Sequence, residues 1–562
     1  MRTLQAATLT LSLAACGDLG LPHADDDTGA GESTTGTADY TTTAPLEVEC
    51  TPGQERCAGA DAREVCSPSG SAWMAEPCTQ YQACSEQGSP TVAACLGPCE
   101  TGGESSVGCE FVAMRMLSHN SVDQDADADA IIVGNTDRER AATVQLYFKP
   151  ALDNREEPLG VAVTLAPGEA HVFRLAAEPM LVYSGIGGAV YRVVSDLPIS
   201  AYLHSPLVNS ASNDASLLLP THALGKDHII ASFPPWAAAT DTATHNGRPS
   251  YFDAIALEPD TVIEWTPRVA TIGNNLNVDI LAPFETDSVP LNPLEVLQIS
   301  ADFGQAMEPG APEHDVSGTL VRANKPIAVW GATACAFVPF DSAGGCNHLQ
   351  EQMLPLKYWG NTTVAAHAPL RAGEKHYWRL YASREDQQIL VDPGDAVDKS
   401  LVVIADVGGF EPVTALSGVS VVFKSNAPFL AVQYLAGASE AGGDGDPAMV
   451  QAIPVEQYLD RYVFVTGVDY DANYAQVIRD QGGAPVFIDG QEVGGYYSLV
   501  STGGINLEIA DWPLPDGDGP QAYVAESDDP FGLYVFGYQG APARSAYAYP
   551  GGMALRPLSP EG

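Results

Sequence analysis

The chain has few basic residues for its size, and this scarcity excludes several classes of partner. Among 562 residues there are 26 Lys and Arg against 71 Asp and Glu, a formal net charge of −45. Binding to nucleic acid depends on Lys and Arg contacts with phosphates, and anionic membrane surfaces attract basic segments. The composition argues against both partners, and the charge favours solubility and repulsion between copies.

Catalytic motifs and long apolar runs are also missing. There is no G-x-S-x-G, no H-E-x-x-H and no glycine-rich phosphate loop, and the 11 histidines are scattered. No later run reaches the roughly 18 apolar residues of a membrane-spanning helix. We interpret the chain as non-enzymatic. A cryptic secreted hydrolase or hydrolase accessory protein is the alternative, because sequence does not show which distant residues meet.

The N-terminus has the pattern of an export signal. "MRTLQAATLTLSLAACGD" has Arg2 as a minimal positive region and an apolar stretch that runs on to Ala15. The residues from Leu13 to Cys16 resemble the lipobox of bacterial lipoproteins, in which the cysteine is lipidated and becomes the new N-terminus. We predict a signal peptide at 1–15 and a lipidated, flexible, Thr-, Gly- and Asp-rich tether at 16–48. The alternative is a plain secretory signal.

The other ten cysteines predict disulfides. Eight lie close together in the chain, namely Cys50, Cys57, Cys66, Cys78, Cys84, Cys95, Cys99 and Cys109. The first seven belong to a segment that we place at 49–107, and Cys109 follows just after it. None of them has C-x-x-C spacing, so zinc and thioredoxin-like chemistry are disfavoured, and a disulfide module with open pairing is predicted. Since Cys109 begins the next apolar segment, we expect one bridge to tie the module to that segment. Cys335 and Cys346 flank a short glycine-containing loop and are predicted to pair with each other.

One pattern recurs four times along the rest of the chain. A β-rich run is followed by a few polar residues, a proline and a second β-rich run, as in "VVFKSNAPFLAVQYL" at 421–435. The prolines are Pro198, Pro326, Pro428 and Pro530. Because proline cannot donate to a sheet ladder, each pattern predicts a β-hairpin whose second strand opens at the proline.

A second pattern predicts the linkers between these repeats. It has a polar start, an apolar run and a proline, which is Pro220, Pro355 or Pro454, before a new strand begins. With few segments of helical periodicity, the fold class is all-β: about four tandem β-sandwich-like repeats after the disulfide module. We place the repeats at 108–212, 213–346, 347–445 and 446–562. A β-propeller is the minority alternative, because propeller blades are usually shorter.

One acidic segment is a weak candidate for a calcium site. "VDQDADADA" brings Asp123, Asp125, Asp127 and Asp129 to alternate positions, where their oxygens could bind Ca²⁺. The spacing fails the EF-hand pattern, since the sixth and twelfth positions from Asp123 are Ala128 and Gly134. The alternative is an acidic surface loop. No other metal and no cofactor is predicted.

The linkers and two flanking segments resemble the IgGFc-binding protein N-terminal domain family. The most specific matches are "SNDASLLLP", "GCNHLQEQMLP", "GDPAMVQAIPVEQYL" and the final "YPGG", and the likeness covers most of 108–555. The resemblance implies a fold and a binding role, whereas binding to Fc itself is not carried over. We therefore expect a lipid-anchored adhesion or binding protein of the bacterial cell envelope, at the outer membrane or cell surface. Its ligand would be a glycan or a protein, and a structural envelope component is a further alternative.

Overall fold

The computed structural model shows an all-β chain. It describes residues 49–59, 62–78, 82–87, 92–97, 99, 103–118, 129–151, 153, 155–176, 180–207, 212–235, 249–274, 276–302, 314–339, 346–500, 504–515, 520–542 and 544–559. Within these residues the ordered elements are β-strands and short 3-10 turns, so the predicted fold class is confirmed. No helix among them has the length and hydropathy of a membrane span.

The chain divides into two compact units, each described by itself. In the described part the first unit comprises 49–54 and 65–74, and its bond between Cys50 and Cys66 closes a small loop. The second unit comprises 55–64 and everything from Ala75 onward. The predicted boundaries between the four repeats stay a prediction, because all four lie inside this second unit.

The strands of the disulfide module are short. They are β1 (Glu55–Cys57), β2 (Ala62–Cys66), β3 (Trp73–Pro77), β4 (Ala83–Gln87) and β5 (Val92–Leu96). β4 and β5 form an antiparallel hairpin in which Cys84 lies opposite Cys95. Short strands bury little apolar surface, so disulfides provide much of the stabilisation in such modules.

Repeats 1 and 2 contain the next sixteen strands. Those of repeat 1 are β6 (Gly108–Ala113), β7 (Ala130–Asn135), β8 (Ala142–Lys149), β9 (Glu157–Pro158), β10 (Val163–Leu165), β11 (Ala170–Arg174), β12 (Gly185–Gly187), β13 (Val190–Ser205) and β14 (Asp214–Leu217). Those of repeat 2 are β15 (Gly225–Ile229), β16 (Ser250–Ala256), β17 (Thr261–Thr266), β18 (Asp287–Leu291), β19 (Val296–Ser300), β20 (Leu320–Ala336) and β21 (Asn347–Gln352). β12 is an exception, since it pairs with β19 of repeat 2.

Repeats 3 and 4 contain the remaining strands. Those of repeat 3 are β22 (Gly360–Ala365), β23 (His376–Ala382), β24 (Gln387–Asp392), β25 (Leu401–Ile404), β26 (Phe410–Ala415), β27 (Val421–Tyr434) and β28 (Met449–Ala452). Those of repeat 4 are β29 (Leu459–Val465), β30 (Ala472–Asp480), β31 (Phe487–Ile488), β32 (Gln491–Glu492), β33 (Tyr497–Val500), β34 (Asn506–Leu514), β35 (Ala522–Gln539) and β36 (Ser545–Pro550).

All four repeats share one topology, built around a long strand (β13, β20, β27 or β35). In repeat 3 the first half of β27 pairs with β22 and β24, and its second half pairs with β23 and β28. The edge strands β25 and β26 then pair with β24 and β23. The long strand therefore belongs to two sheets, one on each side of a sandwich-like repeat.

The predicted hairpins at the four prolines are wrong, because each proline lies inside one continuous long strand. Pro428 falls between the residues of β27 that pair with β24 and those that pair with β23. The strand passes from one sheet to the other at this point, and the ladder needs no N–H from the proline. The polar residues before the proline are the corner of the repeat rather than a turn.

The linker strands are β14, β21, β28 and β36, the last strand of each repeat. The first three begin at residues 214, 347 and 449, beyond the predicted ends of repeats 1 to 3 at 212, 346 and 445, and they are grouped with those repeats because each pairs with the long strand before it. β14 contacts β21 and β36, and β28 contacts the same two strands, so the linker strands form a closed cycle. The two ends of the repeat region also meet, since the N–H of Ser106 donates to the carbonyl of Met553 at 2.8 Å. After β14, β21 and β28 the chain passes a proline and a 3-10 turn, at Thr221–Ala223, Leu356–Tyr358 and Val455–Gln457.

Candidate functional site

The loop between β17 and β18 of repeat 2, which we call the 267–286 loop, exposes three large apolar side chains. Its side chains Leu276, Ile280 and Phe284 are 89%, 67% and 63% exposed. The corresponding connection in repeat 3 spans only 393–400, and that of repeat 4 only 489–490. Loops of such length in a compact domain are uncommon and usually functional. Contiguous exposed apolar patches are frequent at interaction sites, which makes this loop a candidate.

Hydrogen bonds hold the base of this loop against the neighbouring strand. The N–H of Ile272 donates to the carbonyl of Ser300 at 3.0 Å, and the N–H of Asp302 donates to the carbonyl of Ala270 at 2.7 Å. Within the loop the N–H of Thr271 donates to the carbonyl of Leu281 at 3.0 Å. The backbone is thus an extension of the sheet, which fixes where the exposed side chains stand.

An asparagine organises the tip of the loop. Asn274 Oδ1 accepts three backbone N–H bonds from residues 276–278, at 2.9 to 3.1 Å. Val278 and Leu281 point inward and are buried, whereas Leu276 and Ile280 point outward. The tip therefore buries apolar side chains on one face and presents others to solvent.

Phe284 is held in an unfavourable backbone conformation. Its φ is 67°, in the left-handed region that a bulky residue rarely adopts. Its N–H donates to the carbonyl of Pro267 at 2.7 Å, and the guanidinium carbon of Arg268 lies 5.3 Å from the centre of its ring. Arg268 in turn donates to the carbonyl of Val407 at 3.3 Å. Strain of this kind persists where the surroundings impose it, and it is frequent at binding sites.

The charges around the loop are mostly acidic. Asp279 and Glu285 lie within it, and Arg268 is its one basic residue. Glu285 is used locally, since its Oε2 accepts the N–H of Ala282 at 2.9 Å. Among the loop residues that the structure describes, no nucleophile is paired with a base. The loop offers apolar side chains for contact, with two acidic residues beside them.

Two buried carboxylates lie among the linker strands, where no sequence motif indicated a site. Asp214 Oδ2 accepts the N–H of Gln350 at 3.1 Å and that of Met449 at 3.0 Å, so it ties β14 to β21 and β28. Glu351 Oε1 accepts the N–H of Gln451 at 3.2 Å. Burial raises the pKa of both carboxyl groups well above the ordinary value. Neither side chain is accessible to a ligand, so they are structural.

The residues predicted for calcium and lipidation fall largely outside the described part. Cys16, Asp123, Asp125 and Asp127 all lie outside the described residues. Asp129 is described, and it is buried in an ion pair of 3.0 Å with Arg115 while Ser205 Oγ donates to its other oxygen at 3.0 Å. Burial raises the pKa of Asp129. Among the residues described, no group of three or more His, Cys, Asp or Glu side chains is placed to hold a metal ion.

The structure assigns partners to the ten remaining cysteines. The pairs are Cys50–Cys66, Cys57–Cys84, Cys78–Cys95, Cys99–Cys109 and Cys335–Cys346. The Cys99–Cys109 bond joins the disulfide module to β6, the first strand of repeat 1. The Cys335–Cys346 bond joins the end of β20 to the residue before β21.

The 267–286 loop could have been noticed from sequence, but only in part. "NNLNVDILAPF" combines turn-forming asparagines with large apolar residues, and such a mixture is unusual for a solvated loop. Nothing in the letters says which apolar residues face outward. That distinction depends on the pairing of Thr271 with Leu281 and with Ala301, which is a tertiary feature.

Comparison with known proteins gives a family match. The family described as "IgGFc binding protein" matches residues 214–537. The human (Homo sapiens) protein named IgGFc-binding protein is 23% identical over 399 residues, which is 71% of this chain and 7% of that protein. The chain thus spans about 7% of the length of this curated relative.

Solved structures show only remote likeness. Two B repeats of the collagen-binding protein of Staphylococcus aureus are 7% identical, with 78% of this chain and 98% of that chain covered and a TM-score of 0.10. Salmonella alpha-2-macroglobulin is 11% identical, with 87% of this chain and 38% of that chain covered and a TM-score of 0.11. Scores this low carry no argument about the fold.

Proposed function

The chain belongs to the IgGFc-binding protein family, as its linker motifs predicted, and from this membership together with the N-terminal sequence we propose a non-enzymatic binding protein displayed on a bacterial cell surface. The family is one of binding proteins, and its match covers residues 214–537. Repeats 2 and 3 and most of repeat 4 lie within that range. The partner is a protein in this proposal, and a glycan is the competing ligand class.

The observation that carries the proposal is the 267–286 loop inside the matched region. Three large apolar side chains, Leu276, Ile280 and Phe284, are exposed on a backbone that hydrogen bonds hold in place. Protein interfaces centre on a few such anchors, surrounded by a polar rim. Leucine and isoleucine offer aliphatic contact without a hydrogen-bonding group, so a protein pocket suits them better than a hydroxyl-rich sugar.

A binding experiment with the full chain tests this function. Arrays of extracellular proteins, including the Fc fragment of IgG, and of glycans are probed in parallel with a panel of general hydrolase substrates. We expect binding to a protein and no turnover. Turnover without array binding would favour the cryptic hydrolase or accessory alternative, and neither signal would favour a structural envelope component.

A pair of matched variants then locates the site. The triple variant Leu276→Ser, Ile280→Ser, Phe284→Asn should weaken binding of the identified partner at least about tenfold, since an interface anchor is worth about 2 kcal/mol. The control replaces three half-exposed apolar residues of the β24–β25 ribbon by serine (Leu390, Leu401 and Val403) and should bind normally. Equal affinity of the loop variant and the wild type would remove the loop from the proposal.

Display on the cell surface rests on the N-terminal sequence. In the proposal Cys16 carries the lipid, and the polar segment 16–48 spaces the folded units from the membrane. Cys16→Ser should release the protein from the membrane fraction, whereas Ser12→Ala in the same signal should leave it attached. Retention of Cys16→Ser in membranes after a high-salt wash would contradict the lipid anchor.

A further inference from the structure

The β4–β5 hairpin of the disulfide module places cysteines of two different disulfides opposite each other. Cys84 and Cys95 are Cα partners in its antiparallel register. Cys84 is bonded to Cys57, and Cys95 is bonded to Cys78. Residues directly opposite each other in an antiparallel pair point to the same face, with their Cβ atoms about 4.5–5.5 Å apart. The two disulfides therefore lie side by side, and each contributes one sulfur to the same cross-strand position.

A hydrogen bond shows which kind of cross-strand pair the two cysteines form. The N–H of Ala93 donates to Oε2 of Glu55 at 3.1 Å, so this N–H points away from β4. Ala93 and its partner Glu86 are therefore a non-hydrogen-bonded pair. The two kinds of pair alternate along the ladder, so Cys84 and Cys95, two positions further on, are also a non-hydrogen-bonded pair. The Cα atoms of such a pair are about 4.5 Å apart, which is within the range that a disulfide can span.

The two neighbouring disulfides are open to a reagent from solvent. Their four cysteines are all half-buried, namely Cys57, Cys78, Cys84 and Cys95. Other disulfides of the chain are better protected, since Cys66 and Cys335 are only 2% and 0% exposed. The rate of thiol–disulfide exchange depends on access to the sulfur that is attacked. An external thiol should therefore react at this pair before it reacts at the buried bonds.

We propose that the Cys57–Cys84 and Cys78–Cys95 bonds form a thiol-triggered exchange pair, which rearranges to a single Cys84–Cys95 bond between β4 and β5. The trigger is a small external thiol, such as reduced glutathione. Its thiolate attacks Sγ of Cys57, which forms a mixed disulfide there and releases Cys84 as a thiolate. That thiolate attacks Sγ of Cys95, so the new bond forms and Cys78 leaves as a thiolate that takes up a proton.

The exchange is completed by a second molecule of the external thiol. Its thiolate attacks the external sulfur of the mixed disulfide, which releases Cys57 as a thiol and the external thiol as its own disulfide. Two external thiols are thus oxidised, and the two protein disulfides become one disulfide and two thiols. β1 loses its bond to β4, and Cys78 loses its bond to β5, whereas the hairpin gains a bond of its own. The module precedes the family match and the 267–286 loop, so this proposal and the proposed function can fail separately.

Disulfide mapping of the full chain under mild reduction tests the exchange. The protein is incubated with graded reduced glutathione, alkylated with iodoacetamide and digested with endoproteinase Glu-C and chymotrypsin. These enzymes cut after glutamate and aromatic residues, and so place Cys78, Cys84 and Cys95 on separate peptides. Mass spectrometry should find Cys84 linked to Cys95 and alkylation of Cys78, while the Cys335–Cys346 bond stays intact. Reduction of the two bonds without any Cys84–Cys95 link would overturn the proposal.

A pair of matched cysteine variants tests the cross-strand attack without an external thiol. Cys57→Ser leaves Cys84 as a thiol in the resting protein, and this thiol should displace Cys78 from Cys95 in most molecules, so that alkylation falls on Cys78. The control Cys99→Ser leaves its partner in β6 as a thiol and should keep the Cys78–Cys95 bond. Alkylation of Cys84 beside an intact Cys78–Cys95 bond in Cys57→Ser would overturn the proposal. If this variant fails to fold, the mapping of the wild type decides the matter.

Discussion

The buried ion pair between Arg379 and Asp315 joins repeat 3 to repeat 2, and its removal should destabilise this junction strongly. Arg379 Nη1 lies 2.6 Å from Asp315 Oδ2 and donates to the carbonyl of Ser232 at 3.0 Å. The guanidinium carbon lies 4.4 Å from the ring centre of Phe233 and 4.8 Å from that of Phe410. Burial alone would lower the pKa of Arg379, but Asp315 raises it, so the guanidinium stays charged.

The loss in the free energy of unfolding on replacing Arg379 can be worked out from these contacts. In Arg379→Met the Asp315 carboxylate stays buried without its counter-charge, which costs about 3–5 kcal/mol. Loss of the cation–π contacts adds about 1 kcal/mol. The larger compact unit has about 500 residues, so its unfolding entropy is about 1 kcal/mol/K, and a loss of about 4 kcal/mol shifts the Tm by only about 4 °C. Hydrogen exchange is the sharper assay.

The amides of β20 and β23 nearest the junction should therefore lose protection by about a thousandfold in Arg379→Met, since about 1.4 kcal/mol corresponds to a factor of ten. Asp315→Asn should have a similar effect, because it leaves Arg379 uncompensated. The double variant Arg379→Met, Asp315→Asn should cost at least about 2 kcal/mol less than the sum of the two single variants. Additive costs, or a change below about 1 kcal/mol in Arg379→Met, would refute the reasoning.

Three further predictions concern single positions. Burial raises the pKa of Asp446 from 3.8 to about 8, so its contribution to stability is full below about pH 4 and is lost as the pH rises towards 8. Urea titrations should find Asp446→Asn more stable than wild type at pH 8 by up to about 5 kcal/mol and equal to wild type near pH 4. Parallel curves of stability against pH for the two proteins would contradict this. Gly331→Ala should lower stability by about 3 kcal/mol or more, because its Cβ would lie 2.0 Å from the carbonyl oxygen of Ala231, whereas Gly373→Ala, with nothing within 4 Å, should be nearly neutral in the same titration. Phe284→Asn should keep the melting temperature of the wild type, since asparagine tolerates the φ of 67°. Phe284→Val should lower the free energy of unfolding by about 1 kcal/mol, because a β-branched residue does not tolerate this φ. Equal losses in the two variants would show that backbone strain does not cause the loss of stability.

The proline pattern shows how far local sequence reasoning extends. The β-rich apolar runs correctly predicted strands on both sides of Pro428, because the strand preference of a residue is a local property. A hairpin was the wrong connection between them. A proline flanked by strand residues is compatible with a turn and with a strand that changes sheets, and only the partners of β27 distinguish the two.

The candidate sites divide in the same way. The cysteine clusters predicted a disulfide module, since density in a short exported segment is a matter of composition. The 267–286 loop was not predicted. The exposure of Leu276 depends on how strands far apart in sequence are arranged.

The sequence alone determined the all-β class, the family and the fourfold recurrence, because each depends on short motifs and local residue patterns that can be recognised without knowing the fold. Only the tertiary structure decided that the linker strands meet in a cycle, with Asp214 bonded to strands of two other repeats. It also brought Arg379 to Asp315 across 64 positions of the chain. The physical reason is that hydrogen bonds and ion pairs act over a few ångströms in space, and the order of residues does not specify which distant groups will come that close.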